Sequence, residues 1–232
     1  MTTTPGSRLS GLLAVTTLAL AVFIFVLGAA TQALGEPGTA VSDVLTRMKT
    51  AYKDQPAVQA TFVQTNSGAS YFEPLVMKGT LALKKPRRVR MEYTTPRAKT
   101  FLSDGSTLWV IDQGDRTVTR SRTQVEAVGT MFDFLTGAGD VTKDFVVTVA
   151  TGEEAVDGLD VLRLEPKAPG GGLASVFVHV HPTSGFVQGV ITTTPFGDRS
   201  ETALSEIRTD VQLPDEGFVY ASRDGFTIVD VD

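Results

Sequence analysis

The chain has 232 residues, of which 42% are hydrophobic and 20% charged, with 22 glycines, 11 prolines and no cysteine. Such a composition is that of a globular domain and excludes disordered, collagenous and coiled-coil chains. The lack of cysteine excludes a disulfide scaffold, a thiolate metal site, a cysteine nucleophile and a lipid anchor attached through cysteine. With 21 basic and 26 acidic residues, formal net charge −5, the chain is a poor match to a phosphate backbone, and no nucleic-acid partner is expected.

From Leu9 to Gly35 no residue is charged, and Arg8 precedes the run. A charged start, an apolar middle (Leu18, Leu20, Val22, Phe23, Ile24, Phe25, Val26, Leu27) and a small-residue close after Ala30 or Ala33 read as a secretory signal. The apolar part, about 19 to 22 residues, is also long enough to remain as an uncleaved membrane anchor. The division expected is therefore residues 1–33 as signal peptide or uncleaved anchor and 34–232 as one domain. Losing 1–33 removes Arg8 alone from the 21 basic residues, leaving 20 basic and 26 acidic, net −6. Export without cysteine suits a bacterial periplasm.

Past a Glu36-Pro37-Gly38 linker, Val41, Val44, Leu45, Met48 and Tyr52 recur at helical spacing, with Thr39 as the expected N-cap and Gln55-Pro56 as the stop. Strands are expected over 58–65, 76–84, 88–93, 99–103, 107–112 and 116–121, with turns at Asp104-Gly105 and Gln113-Gly114-Asp115. A second helical period, Val125, Val128, Met131, Phe132 and Leu135, ends at Gly137 and Gly139. Strands resume over 144–150, 159–165, 174–180, 186–194 and 202–210, with a last pair near 218–220 and 226–229. Short strands in succession with no helix between most of them imply antiparallel hairpins or a meander. The fold class expected is α+β: an open, incomplete antiparallel β-barrel, its apolar concave face covered by a lid of the two helices.

Motifs for catalysis are scarce. His179 and His181 alternate on a strand, as two metal ligands would, but no third ligand is apparent and a metal-dependent hydrolase ranks last among the readings. Gly-x-Ser-x-Gly is absent, Gly170 to Gly172 lacks the Lys-Ser/Thr of a phosphate loop, and Glu153-Glu154 sits on a turn. No enzyme, metal or cofactor is expected. Lys84-Lys85-Pro86-Arg87-Arg88-Val89-Arg90 packs five basic residues into seven positions. It reads either as a two-faced strand with a charged convex side, Arg88, Arg90 and Glu92 opposite Val89, Met91 and Tyr93, or as a docking patch for phosphate or headgroups. Alternation groups Val89, Met91 and Tyr93 on the inner face, and the same logic adds Leu81, Leu83, Phe101 and Trp109. Soft and aromatic side chains (Met48, Tyr52, Met131, Phe132, Phe134) are plentiful on the surfaces expected to meet them, and such side chains adapt to flexible apolar ligands.

The residues also carry a resemblance over roughly 40–230. Phe62-x-Gln64, Gly79-x-Leu81 leading to Lys85-Pro86, Tyr93 with Pro96, Ser103-Asp104-Gly105 with Leu108-Trp109, Phe134-Leu135-x-Gly137, Leu164-Glu165-Pro166 and Phe218-x-Tyr220 with Gly225 and Ile228-Val229-Asp230 occur in an order and spacing that resemble the periplasmic outer-membrane lipoprotein carrier proteins, LolA. The resemblance implies a monomeric periplasmic chaperone. It would take the acyl chains of lipoproteins from an inner-membrane ABC-type release complex and pass them to an outer-membrane lipoprotein receptor where one exists. It implies acyl-chain binding by Leu81, Leu83, Val89, Met91, Tyr93, Phe101, Trp109, Met131, Phe132 and Leu135. It also implies a lid latch at Lys85, where the family typically has an arginine. Lysine lacks the planar fork of donors, so a weaker latch is expected. A membrane-tethered lipid-binding sensor or structural module of the envelope is the alternative reading.

Overall fold

The computed structural model describes residues 39–124, 132–133, 135–136, 139–168 and 172–231. One helix, α1 (Thr39–Lys53), precedes twelve strands: β1 (Ala57–Ser67), β2 (Leu75–Lys84), β3 (Arg88–Thr95), β4 (Lys99–Ser103), β5 (Leu108–Asp112), β6 (Thr117–Ser121), β7 (Phe145–Val149), β8 (Asp160–Pro166), β9 (Ser175–Val180), β10 (Val187–Thr193), β11 (Arg199–Arg208) and β12 (Thr227–Asp230). They form a single sheet in the order β12-β6-β5-β4-β3-β2-β1-β11-β10-β9-β8-β7. Two meanders, β1 to β6 and β7 to β11, are thus joined edge to edge by the antiparallel β1–β11 pair. The sheet stays open, with β7 and β12 as its two edges.

Curvature is evident in what touches what. Val89, Tyr93, Phe101 and Leu108 from the first meander share one buried cluster with Leu162, Leu164, Val176, Val178 and Val190 from the second, and with Val41, Val44 and Met48 of α1. The helix presents to the sheet the stripe that its spacing predicts: Val41, Val44, Met48 and Tyr52 are all buried, and Leu45 packs partly against the same cluster. At Gly79 the first meander closes tightly on itself, because an added Cβ would come within 1.8 Å of the Glu92 carbonyl oxygen and 2.7 Å of the Phe62 ring. A bulge between Gln59 and Thr61 of β1 and their β11 partners shifts alternation on β11. Leu204 and Ile207, three apart, consequently line the same hollow.

Three expectations are corrected. Antiparallel pairing is not universal, since β12 lies parallel to β6 (Thr227↔Thr117 to Asp230↔Arg120) after a long crossing of the chain. The segment expected as a strand at 218–220 contains instead the end of a 3-10 turn, Asp215–Phe218, which drives Phe218 into a second cluster on the convex side. Trp109 belongs to that second cluster, with Ala82, Leu102, Ile111, Val118 and Phe218, and not to the concave face. The Asp104 turn sets this register: its carboxylate accepts from the backbone N–H groups of Ser106 and Thr107 at 2.8 Å, pairing Ser103 with Leu108 and Phe101 with Val110. Leu108 and Val110 therefore face inward and Trp109 outward. Among the described residues no helix is long and apolar enough to cross a membrane; the export segment, Val125, Val128, Met131 and Phe134 lie outside them.

Candidate functional site

The concave face is the candidate site. Leu81, Leu83, Val89, Tyr93 and Phe101 are buried in its cluster, and Met91 packs against it with Sδ 3.6 Å from the Tyr93 hydroxyl. Phe62, Tyr93 and Phe101 form an edge-to-face run with ring centroids 5.0 and 5.8 Å apart. Nine of the ten residues expected to contact acyl chains are thereby resolved into two groups. Leu81, Leu83, Val89, Met91, Tyr93, Phe101, Phe132 and Leu135 meet on the concave side, Trp109 is on the other face, and the tenth, Met131, is not among the described residues.

Two covers close this face. The first is α1. The second is formed by residues 132–133 and 135–136, where the Thr136 N–H donates to the Phe132 carbonyl at 3.0 Å and both Phe132 and Leu135 are buried. What remains between cover and sheet is a hollow of about 290 Å³, including its opening to solvent, lined by Tyr52, Val58, Ala60, Leu81, Leu83, Leu135, Leu204 and Ile207. Most of that space is open to solvent, so in this conformation the covers occupy the face.

The covers are held at their margins by polar contacts. Lys85, in the β2–β3 turn, donates from Nζ to the carbonyls of Tyr52 (2.8 Å) and Lys53 (2.6 Å), the last residues of α1. A lysine without a fork still reaches two carbonyls here, because both lie at the helix C-terminus, where the Tyr52 carbonyl accepts in addition from the Gln55 N–H at 3.2 Å. Arg87, two residues on, holds the second cover through both oxygens of Asp133, with Nε 3.3 Å from Oδ1. Arg47 of α1 pairs with Asp160 of β8. Tyr52 accepts from the Val187 N–H at 3.3 Å and meets Phe186 edge-on with centroids 5.0 Å apart; burial raises its phenol to a pKa of about 12.

The basic run is absorbed by these and similar contacts. Lys84 binds the Leu213 carbonyl and Asp215, Arg88 binds Asp215 at 3.2 Å, and Arg90 donates to the Gly217 carbonyl at 2.9 Å and to Glu92 at 2.6 Å. The strand is two-faced as expected, and its cations fasten the C-terminal segment across the convex side. The histidines do not converge. His179 is half-buried on β9, its pKa lowered by burial, while His181 beyond the strand end accepts from the N–H groups of Thr183 and Ser184 through Nδ1. Among the described residues no group of His, Asp and Glu could hold a metal.

The sequence pattern did not reveal Arg87–Asp133, whose partner lies 46 residues away. It also missed the polar stripe at one end of the concave face. Tyr93 donates to Gln64 Oε1 at 2.7 Å, and Gln64 Nε2 donates to Asn66 Oδ1 at 3.1 Å and Ser200 Oγ at 2.9 Å. Polar residues continuing the buried face of β1 at strict alternation, Gln64 and Asn66 after Val58, Ala60 and Phe62, are the signal that could have found it.

A curved open sheet whose apolar hollow is stoppered by helical cover suits the binding of apolar ligands. The family comparison makes this specific: the chain belongs to the outer membrane lipoprotein carrier protein LolA family, whose model matches residues 55–221. It is 27% identical over 211 residues to the outer-membrane lipoprotein carrier protein of Chromobacterium violaceum, covering 89% of this chain and 97% of that one. It is 23% identical over 198 residues to that of Methylobacillus flagellatus, covering 85% and 94%. Its fold is shared with an uncharacterized conserved protein from Thermus thermophilus, with TM-score 0.55 at 10% identity over 83% of this chain and all of that one.

Proposed function

We propose that this protein is a periplasmic chaperone that binds the acyl chains of lipoproteins released from the inner membrane and carries them to the outer membrane. The observation that carries this reading is the pairing of a largely apolar face with covers that fill it with apolar side chains, make no strand pairing and are latched at its margins by a few polar contacts. A 16-carbon chain loses on the order of 10 kcal/mol of favourable transfer when left in water, at roughly 0.8 kcal/mol per CH₂. A soluble carrier must match that surface when loaded and hide it when empty, because an exposed apolar patch of that size would associate with whatever it met. Here cover and cargo compete for the same side chains. Opening breaks the Lys85, Arg87 and Arg47 contacts and the Tyr52–Val187 hydrogen bond but no strand pairing, so the sheet can keep its register while the hollow fills.

Cargo shifts the closed-to-open equilibrium only by its difference in affinity for the two states. An ABC-type release complex at the inner membrane would load the open state, and an outer-membrane receptor, where one exists, would unload it. The chain acts as a monomer without cofactor in this scheme. The test is mass spectrometry of the protein purified from native periplasm, together with titration of a synthetic lipopeptide. Acylated N-terminal peptides should co-purify, and Met91→Glu should remove them while leaving the fold intact. A folded Met91→Glu variant that binds the lipopeptide as the wild type does would overturn the reading.

A further inference from the structure

The concave face is not apolar throughout. Phe62 and Leu204 are cross-strand partners and belong to the apolar cluster. Two residues along, Gln64 pairs with Thr202 and Thr202 with Val190; two further, Asn66 pairs with Ser200 and Ser200 with Thr192. Alternation keeps all of these on the concave side, so the face ends in a row of Asn66, Ser200 and Thr192. This row opens into a second pocket of about 240 Å³ including its mouth, lined also by Tyr71, Thr194, Asp198 and Arg199.

The hydrogen bonds in that row are unevenly used. Gln64 is buried and committed on both sides, to Tyr93 and to Asn66 and Ser200. Asn66 is buried and is shared between Gln64 and Tyr71. Ser200 accepts from Gln64, which leaves its own O–H free to donate. Thr192 is only 4% exposed, and its hydroxyl has no hydrogen-bond partner among the described residues. Asp198 is taken up by Ser70, accepting from its N–H at 2.9 Å and from its hydroxyl at 2.5 Å, and so pins the loop that carries Tyr71 over the pocket. The buried side-chain atoms without a partner among the described residues are arginine Nε atoms and not Thr192 Oγ1, so this hydroxyl, although its residue is buried, meets the pocket it lines. Here two donors, Ser200 held by Gln64 and Thr192 held beside it by the strand register, face a pocket at the end of an apolar groove.

We propose that Thr192 and Ser200 form a polar subsite that donates hydrogen bonds to the carbonyl of an ester-linked acyl chain, fixing which end of the cargo lies at this rim. The inference rests on the carrier reading. Acyl chains would run from the subsite along Phe62, Tyr93 and Phe101 beneath the covers, and the polar part of the cargo would leave at this rim, beside the β1–β2 and β10–β11 loops that Ser70 and Asp198 clamp together. Lipoproteins and phospholipids both supply such esters.

The test titrates the full mature chain with a lipopeptide bearing ester-linked palmitoyl chains, with its ether-linked hexadecyl analogue, which has the same tails and no ester carbonyls, and with a short-chain diacyl phosphatidylcholine. The wild type should prefer ester over ether, and Thr192→Val and Ser200→Ala should each reduce the preference by about two- to tenfold, the range of one hydrogen bond, with ether binding unchanged. The same hydroxyl dependence for phosphatidylcholine assigns the subsite to acyl esters of either source, and no phosphatidylcholine binding assigns it to lipoproteins. Equal affinity of the wild type for ester and ether, or equal loss for both in the variants, overturns the subsite while leaving the carrier reading standing. If the wild type binds neither lipopeptide, the carrier reading itself fails.

Discussion

Replacing Lys85 by methionine keeps the aliphatic stem and removes the ammonium that caps α1. The wild-type Nζ serves the Tyr52 and Lys53 carbonyls at 2.8 and 2.6 Å, the first contact part-buried and the second exposed. A part-buried hydrogen bond from a charged donor contributes about 1.5 kcal/mol, at the low end for such bonds. A cation at a helix C-terminus adds about 0.3–1 kcal/mol, and the exposed bond adds little because water competes for it. The closed state should therefore lose about 2 kcal/mol relative to the open one, a factor of about 30 in population. Amide hydrogen exchange reads this directly. The α1 amides of Lys85→Met should exchange about 30-fold faster, while those of β1 and β2, whose ladder is untouched, should change little. Lipopeptide affinity should rise along with this, because apparent affinity is diluted by the fraction of protein that is open. Lys85→Arg should move both quantities the other way. Unchanged α1 exchange in Lys85→Met would refute the latch, and equal acceleration throughout the sheet would show that Lys85 supports the whole fold instead.

Asp133→Asn should free the second cover from Arg87 and speed lipopeptide uptake in stopped-flow fluorescence, with little change in melting temperature. Phe218→Ala should cost about 3–5 kcal/mol in urea denaturation, because the ring is only 2% exposed in the convex cluster and leaves a cavity there. Gly79→Ala should prevent stable folding as judged by circular dichroism, since the β3 backbone occupies the space for a Cβ. Burial would raise the Asp112 carboxyl, but the N–H groups of Asp115 and Gly114 and the Lys99 ammonium, 3.2 Å away, outweigh it and hold the pKa below the ordinary carboxylate value. A depressed folded pKa stabilises above the unfolded value, near 3.9, and that contribution is lost as pH falls through the folded one. Asp112→Asn should accordingly lower stability at pH 7 and make progressively less difference below about pH 4.

The parts legible in the sequence were those where one face of an element is buried and the other is wet. The 41–52 stripe of α1 and the Val89, Met91, Tyr93 alternation of β3 are such cases, and each element fell where its period placed it. Resemblance supplied Lys85, which geometry then gave two carbonyl acceptors in place of an arginine fork. The Arg87–Asp133 contact and the β1–β11 seam were hidden because each joins residues far apart in the chain, and no local pattern encodes the partner. The polar row at Asn66, Ser200 and Thr192 comes from three different strands and exists only in the assembled register.

The misplaced Trp109 has a more general cause. Leu108-Trp109-Val110-Ile111 is apolar at every position because β5 is covered on both sides, by the concave cluster and by Phe218 with its neighbours. Alternation carries no information in a strand buried on both faces, which reads as one continuous apolar run. Such a strand reveals its depth but not its orientation, and only the hairpin register at Ser103↔Leu108 decides which residues face the ligand side. The same double burial suits the proposed work of the protein. The C-terminal segment, fastened by Lys84, Arg88 and Arg90, packs against the back of the strands that carry Leu81, Leu83, Val89, Met91 and Phe101. In that scheme the concave side chains would keep their positions when the covers leave, and the conformational change would be confined to elements that cross the hollow without pairing into the sheet.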